Sequence, residues 1–207
     1  MYRVQYYSEL KNLAIKIRKK YNLTTCRVLP GKIKDICKRE GIDEIRKWPN
    51  LKKLKAMYFQ DASGCVIMVN DKLPRDPYAF TLAHELKHHL VDRNKIQTFC
   101  KKGPLSEAIE IGAEIFAAEL LFPEDMFLSM LGDMTGDNQV QPEHLVRLKK
   151  ETDTTLSYEG ISKRAVFHEL VSASSVKGIK WKKLEEEIYG EPIYKRVNRY
   201  RNLRKSF

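Results

Sequence analysis

Apolar positions recur at helical spacing in the first part of the chain. Leu10, Leu13, Ala14 and Ile17 predict a helix over Ser8–Tyr21, with Ser8 as its cap. Pro30-Gly31 breaks the pattern. A second helix is expected over Ile33–Glu40, with Ile33, Ile36 and Cys37 inward and Gly41 ending it. Pro49 breaks the chain again. The period then changes to two: Ala56–Phe59 and Cys65–Val69 read as strands, and Asp61-Ala62-Ser63-Gly64 between them is turn chemistry, so a hairpin is predicted.

After Pro74 and Pro77 the helical period returns. A helix is expected over Tyr78–Val91, with Ala79, Ala83, Leu86 and Leu90 as its inner stripe. A second runs from a Ser106 cap to Leu121, before Pro123. A short helix starting at Pro123 is followed by a loop around Gly132, Gly136 and Asn138. Helical pieces are then expected over Pro142–Lys150, Gly160–Val171 and Trp181–Tyr189. A small sheet among many helices is an α+β pattern. At 207 residues the chain suits one domain plus an appendage. We place a core domain at 1–135 and a helical C-terminal region at 136–207, ending in a basic tail.

Composition narrows the class. Hydrophobic residues make up 43% and charged residues 31%, which excludes a disordered chain. No apolar run reaches the roughly 18 residues of a membrane span, and the first residues lack a secretory leader's apolar stretch, so a cytoplasmic protein without a membrane partner is expected. Cys26, Cys37, Cys65 and Cys100 form no C-x-x-C pair and are read as reduced, buried thiols. Charge is uneven: residues 1–60 carry 16 Lys/Arg against 5 Asp/Glu, residues 61–170 carry 12 against 18, and residues 171–207 carry 10 against 4. Basic ends are a candidate nucleic-acid surface. In the tail, Arg196, Arg199, Arg201, Arg204 and Lys205 alternate with Tyr194, Tyr200 and Phe207, and those rings could stack on bases.

The sharpest chemical signal is His84-Glu85-Leu86-Lys87-His88. On a helix, histidines four apart stand on one face and can share a metal ion. Glu85 beside them can act as general base on a metal-bound water. Lys87 is expected to point elsewhere on the helix. His89 falls off the metal face and reads as a solvent-exposed or supporting histidine. A catalytic zinc needs a third protein ligand and one open position. The following helix offers Glu107, Glu110 and Glu114 on one face. Glu110 is the preferred ligand, with Glu114 hydrogen-bonded to a ligand histidine; Glu114 as the third ligand is the alternative. Gly112, Ala113 and Ala117 are small enough to bring this helix close to the histidine helix. Zinc is the expected metal, and manganese, iron or another divalent ion also suits such a donor set. An oxyanion donor is also expected, but the sequence does not identify it: Tyr78, Tyr158, His144 and His168 could serve, and each reads better as structural.

The order hairpin, Phe80–His88, then Glu110-Ile111-Gly112-Ala113-Glu114-Ile115-Phe116-Ala117-Ala118-Glu119-Leu120-Leu121-Phe122-Pro123 resembles the ImmA/IrrE family of zinc metallopeptidases. Glu110, Ala113, Phe116, Ala117, Ala118, Leu120, Leu121 and Pro123 follow its second motif. Glu114 departs from the usual Asn or Asp, Phe122 from Met, and Lys87 from a frequent Gly. The resemblance is specific over residues 54–123. Residues 140–170 are similar in outline to a helix-turn-helix. The resemblance implies a gluzincin-like zinc domain whose edge strand, Cys65–Val69 here, binds an extended substrate. It also implies a regulatory protease that cuts a helix-turn-helix repressor of a prophage or mobile element. Two other classes stand beside it: a non-catalytic DNA- or protein-binding regulator with a structural or silent metal site, and one component of a toxin–antitoxin-like pair.

Overall fold

A computed structural model describes residues 3–49, 51, 54–62, 64–93, 104–136 and 138–192. They form two compact units. The first holds the described residues up to Ser129 together with Thr152–Ser157; the second holds Met130–Glu151 and the described residues from Tyr158 onward. None of the described helices is long and apolar enough to cross a membrane.

In the first unit, α1 spans Arg3–Lys20 and buries Leu10, Ala14 and Ile17 along one stripe. It begins well before Ser8, which lies inside the helix and does not cap it. Its last turn, Arg18-Lys19-Lys20, is basic and suits the negative end of the helix dipole. Arg18 turns inward and donates to Leu120 O, Leu23 O and Thr25 O at 2.7, 2.7 and 2.9 Å. Helix α2, Pro30–Arg39, starts on a proline, whose missing N–H costs nothing there. Its end is a Schellman motif: Ile42 N donates to Cys37 O, and Gly41 N to Lys38 O. Gly41 sits at φ +98°, a conformation glycine adopts without strain.

The motif delivers the chain into β1, Glu44–Trp48. Three further segments follow: β2 (Ala56–Asp61), β3 (Gly64–Asn70) and α3 (Arg75–Lys87). The sheet order is β1-β3-β2, with β1 parallel and β2 antiparallel to β3. Cys65–Val69 is therefore central, not an edge. Its alternation explains why: Cys65, Ile67 and Val69 are buried on one face, while both ladder edges of the strand are paired. The hairpin register pairs Asp61 with Gly64.

Helix α3 buries Ala79, Leu82, Ala83 and Leu86 and packs against α2, the sheet and α4, Pro104–Leu121. It stops at Lys87, and His88–Asp92 forms one wider π-helical turn, so the expected helix to Val91 changes geometry within the motif. Ser106 falls inside α4 instead of capping it. Ile33, Ile36, Ile67, Leu82, Leu86, Phe116 and Leu120 are fully buried and form one core. Gly112 faces α1, not α3: a Cβ there would lie 2.7 Å from Leu10 Cδ1 and 2.9 Å from Tyr6 Cε1. Cys26, Cys37 and Cys65 are buried thiols; burial pushes the Cys37 thiol up to about 12. Cys100 lies outside the described residues.

Helix α5 spans Glu124–Thr135 and includes Gly132, which belongs to the helix and not to a loop. In the second unit, α6 (Pro142–Thr152) buries Leu145, Val146 and Leu148, and α7 (Tyr158–Phe167) buries Ile161 and Ala165. The short α8 (Ala173–Val176) starts where the Ser172 side chain accepts from Ser175 N. The Tyr158 ring stacks on Trp181 of α9 (Trp181–Tyr189), and its hydroxyl donates to Glu185 at 2.7 Å. Lys150 bonds to the same carboxylate at 2.8 Å.

Candidate metal centre

His84 lies in the last turn of α3, and His88 opens the π turn. Their Nε2 atoms lie 3.2 Å apart. Glu110 reaches them from α4: its Oε2 is 3.2 Å from His84 Nε2, and its Oε1 is 3.6 Å from His88 Nε2. These three side chains are the one group among the described residues whose donor atoms converge as metal ligands would. A tetrahedral ion with bonds of about 2.1 Å needs donors about 3.4 Å apart, and His84 Nε2 lies 3.2 Å from both His88 Nε2 and Glu110 Oε2, close to that value. His88 is buried, His84 is half-buried and Glu110 is exposed, so the triangle opens toward solvent on the Glu110 side.

The donors are prepared for a cation. His88 Nδ1 lies 2.7 Å from Asp92 Oδ2. A carboxylate there takes the Nδ1 proton in hydrogen bond and leaves the Nε2 lone pair facing the triangle. Burial pushes Asp92 upward, but hydrogen bonds from His88 and Lys87 outweigh it and hold the carboxyl below its ordinary range. The hydrogen bond with His84 holds Glu110 low, against the opposing effect of burial. Two neutral imidazoles and a carboxylate are the donor set of catalytic zinc in several hydrolases.

Glu85 points inward and is buried. Burial raises its carboxyl above the ordinary range; His84 and His88 pull it back, Glu110 pushes it up, and the Tyr58 backbone N–H pulls it down. The Tyr58 amide places β2 directly against this carboxylate. A carboxyl of raised pKa beside such a triangle is a better proton acceptor when ionised than an exposed one.

The structure brings together His84, His88 and Glu110, with Glu85 beside them. Glu114 is exposed one turn further along α4 and does not join the donors. The carboxylate that bonds to a site histidine is that of Asp92, which sequence reading missed. The spacing His88-x-x-x-Asp92 was the available signal, since residues four apart share a helix face. Lys87 does leave the histidine face, but it is fully buried. His89 is also buried, and not toward solvent: Nδ1 meets the Tyr58 hydroxyl at 2.9 Å and Nε2 meets Glu40 O at 2.9 Å. That ring ties β2 to the end of α2.

Of the oxyanion candidates, Tyr78 lies in α3, His144 in α6, Tyr158 at the start of α7 and His168 just after it. Tyr78 is buried, and its hydroxyl has no hydrogen-bond partner among the described residues. The Tyr158 hydroxyl is committed to Glu185. His144 Nδ1 accepts from Gln141 N at the start of α6, and His168 follows α7. Arg196, Arg199, Arg201, Arg204 and Lys205, with the aromatic residues among them, lie outside the described residues.

The peptidase M78 family model, described as the IrrE N-terminal-like domain, matches residues 37–164. That span is more than half of the chain and includes every residue of the site. A search of curated proteins gave no match.

Proposed function

The chain belongs to the M78 peptidase family of the IrrE N-terminal-like domain, and from that premise we propose that it is a zinc-dependent endopeptidase acting on a partner protein. The triangle of His84, His88 and Glu110 carries this reading, because one ligand atom from each lies within 4.8 Å of the others and Glu110 is exposed. These three residues would hold the metal. Zinc suits the donors best, and manganese or iron is chemically admissible. A divalent ion held there supplies Lewis acidity toward a substrate carbonyl and acidifies a water.

The chain's own residues supply the rest. Glu85 accepts the proton of the attacking water and passes it to the amine that leaves. Asp92 keeps the His88 ring turned to the site. Of the two edge strands, β2 carries the amide that meets Glu85, so its free edge is the one we assign to an extended substrate segment, by strand addition. Glu114 remains on the exposed face of α4 and has no role in holding the metal. The substrate we assign is a helix-turn-helix transcriptional repressor encoded on a prophage or other mobile element, cut in the cytoplasm. We keep residues 1–135 as the catalytic part and 136–207 as a helical region whose basic tail is a candidate nucleic-acid contact.

The test combines metal content with cleavage. Elemental analysis of dialysed protein should find one zinc per chain in wild type and none in His84→Ala. Zinc-loaded wild type should cut the repressor encoded beside its gene, and a chelator should stop the cut. Wild type that takes up no zinc would remove the reading.

A further inference from the structure

Lys87 lies between the two histidines in sequence but leads to a different place. Its side chain is fully buried. Its ammonium is 2.6 Å from Asp92 Oδ2 and 3.0 Å from Ile109 O, and it lies 5.5 Å from the centre of the Tyr6 ring. Asp92 is likewise almost wholly buried. Withdrawing both charges from water is expensive, and an apolar pair of similar volume often serves stability as well. A buried ion pair is therefore weak support for the fold and calls for another purpose.

Its partners supply one. The Asp92 oxygen that meets Lys87 is the same atom that meets His88 Nδ1. Ile109 O belongs to the peptide that joins Ile109 to Glu110. One ammonium thus bonds to the group orienting one donor of the triangle and to the backbone carrying another. The π turn makes this reach available. Residues five apart diverge around an α-helix, but the wider turn stacks them, as its i to i+5 hydrogen bonding requires. Lys87 and Asp92 are five apart; His88 and Asp92 are four apart.

We propose that Lys87 is a positioning residue of the metal centre: it ties Asp92, and through it the His88 ring, to the Ile109–Glu110 peptide, so that donors from two helices keep one spacing. The proposal rests on His84, His88 and Glu110 being metal ligands. It assigns Lys87 no contact with metal or substrate.

The test measures the zinc dissociation constant of folded protein by competition with a chromophoric chelator, together with the cobalt(II) absorption spectrum and apo-protein thermal unfolding. Wild type, Lys87→Met and Asp92→Asn are compared. Met keeps the stem and removes the ammonium. Both variants should weaken zinc by about tenfold or more, as loss of outer partners of a metal ligand does, and both should change the cobalt spectrum. A pair serving the fold alone would lower apo thermal stability and leave the affinity and spectrum unmoved, which overturns the proposal. Should Lys87→Met fail to fold, the double variant Lys87→Met/Asp92→Asn, which leaves no buried charge unbalanced, takes its place. It should bind zinc no better than Asp92→Asn, and binding within about twofold of wild type overturns the proposal. Wild type that takes up no zinc would fail the ligand assignment itself. Zinc uptake that is equal in wild type and variants fails only the role of Lys87.

Discussion

Gly112→Ala and Gly132→Ala are the same substitution in two helices, and the structure predicts opposite signs. In a helix interior, alanine is favoured over glycine by about 0.8–1 kcal/mol. At Gly132 in α5 an added Cβ meets nothing within 4 Å, so that gain of about 1 kcal/mol should appear in full. At Gly112 in α4 the Cβ would stand 2.7 Å from Leu10 Cδ1 and 2.9 Å from the Tyr6 ring. Carbon pairs rest at about 3.5–4.0 Å, so a neighbour must give by much of an ångström. Leu10 is buried in the core. Overpacking of this kind costs about 1–3 kcal/mol, which exceeds the propensity gain and leaves a net loss of about 1 kcal/mol. The assay is urea unfolding of the metal-free protein. The two tryptophans fall one in each unit, Trp48 with Gly112 and Trp181 with Gly132. Fluorescence in a Trp181→Phe background reads the first unit, and a Trp48→Phe background reads the second. Gly112→Ala stabilising its unit as Gly132→Ala does would refute the close contact of α1 and α4 at Gly112.

Three further outcomes are expected. Glu110→Gln should weaken zinc binding by at least about tenfold, whereas Glu114→Gln should leave it unchanged in the same chelator competition; the reverse order would transfer the ligand role to Glu114. The Glu185 carboxyl is raised by burial but lowered more by Lys150 and Tyr158, so its folded pKa lies below the unfolded value of about 4.3. The unfolded chain therefore binds the proton more tightly. The stabilisation is present above about pH 4.3 and is lost as pH falls through the depressed folded value. Urea midpoints read on Trp181 should fall over that range in wild type and fall less in Glu185→Gln; equal slopes would contradict the pairing. Asp92→Asn should retain the fold and lose zinc affinity, and retained affinity would show that the His88 ring needs no such partner.

How far the sequence carried the fold depended on whether hydrophobic period and structural period agreed. The hairpin, α2 and α9 were legible because apolar spacing and turn residues agreed there. Strand β1 was not: Glu44-Ile45-Arg46-Lys47-Trp48 carries three charges and shows no clean alternation, as suits an edge exposed to water. Placing Cys65–Val69 at an edge followed from seeing only the hairpin. The parallel partner that makes it central comes from the unrecognised β1. His84, Glu85, His88 and Glu110 were readable because two helix periods bring them to facing surfaces. Asp92 was marked only by its four-residue spacing from His88, and the fate of Lys87 was not legible, since the turn widens at His88 and no composition signal marks that change. His89 was read from helix phase alone. Its burial is set by Tyr58 and Glu40, residues 31 and 49 positions away.

The central claim is that Glu85 carries the proton in peptide hydrolysis at a metal held by its neighbours. It is tested most directly by incubating the adjacent helix-turn-helix repressor with zinc-loaded wild type and with zinc-loaded Glu85→Gln, and reading intact masses. Gln keeps the side-chain size and removes the proton acceptor. The account predicts two complementary fragments from a single cut by wild type, and intact repressor with the variant despite one bound zinc per chain. Fragments produced equally by both proteins, or by neither while zinc is fully bound, would contradict it.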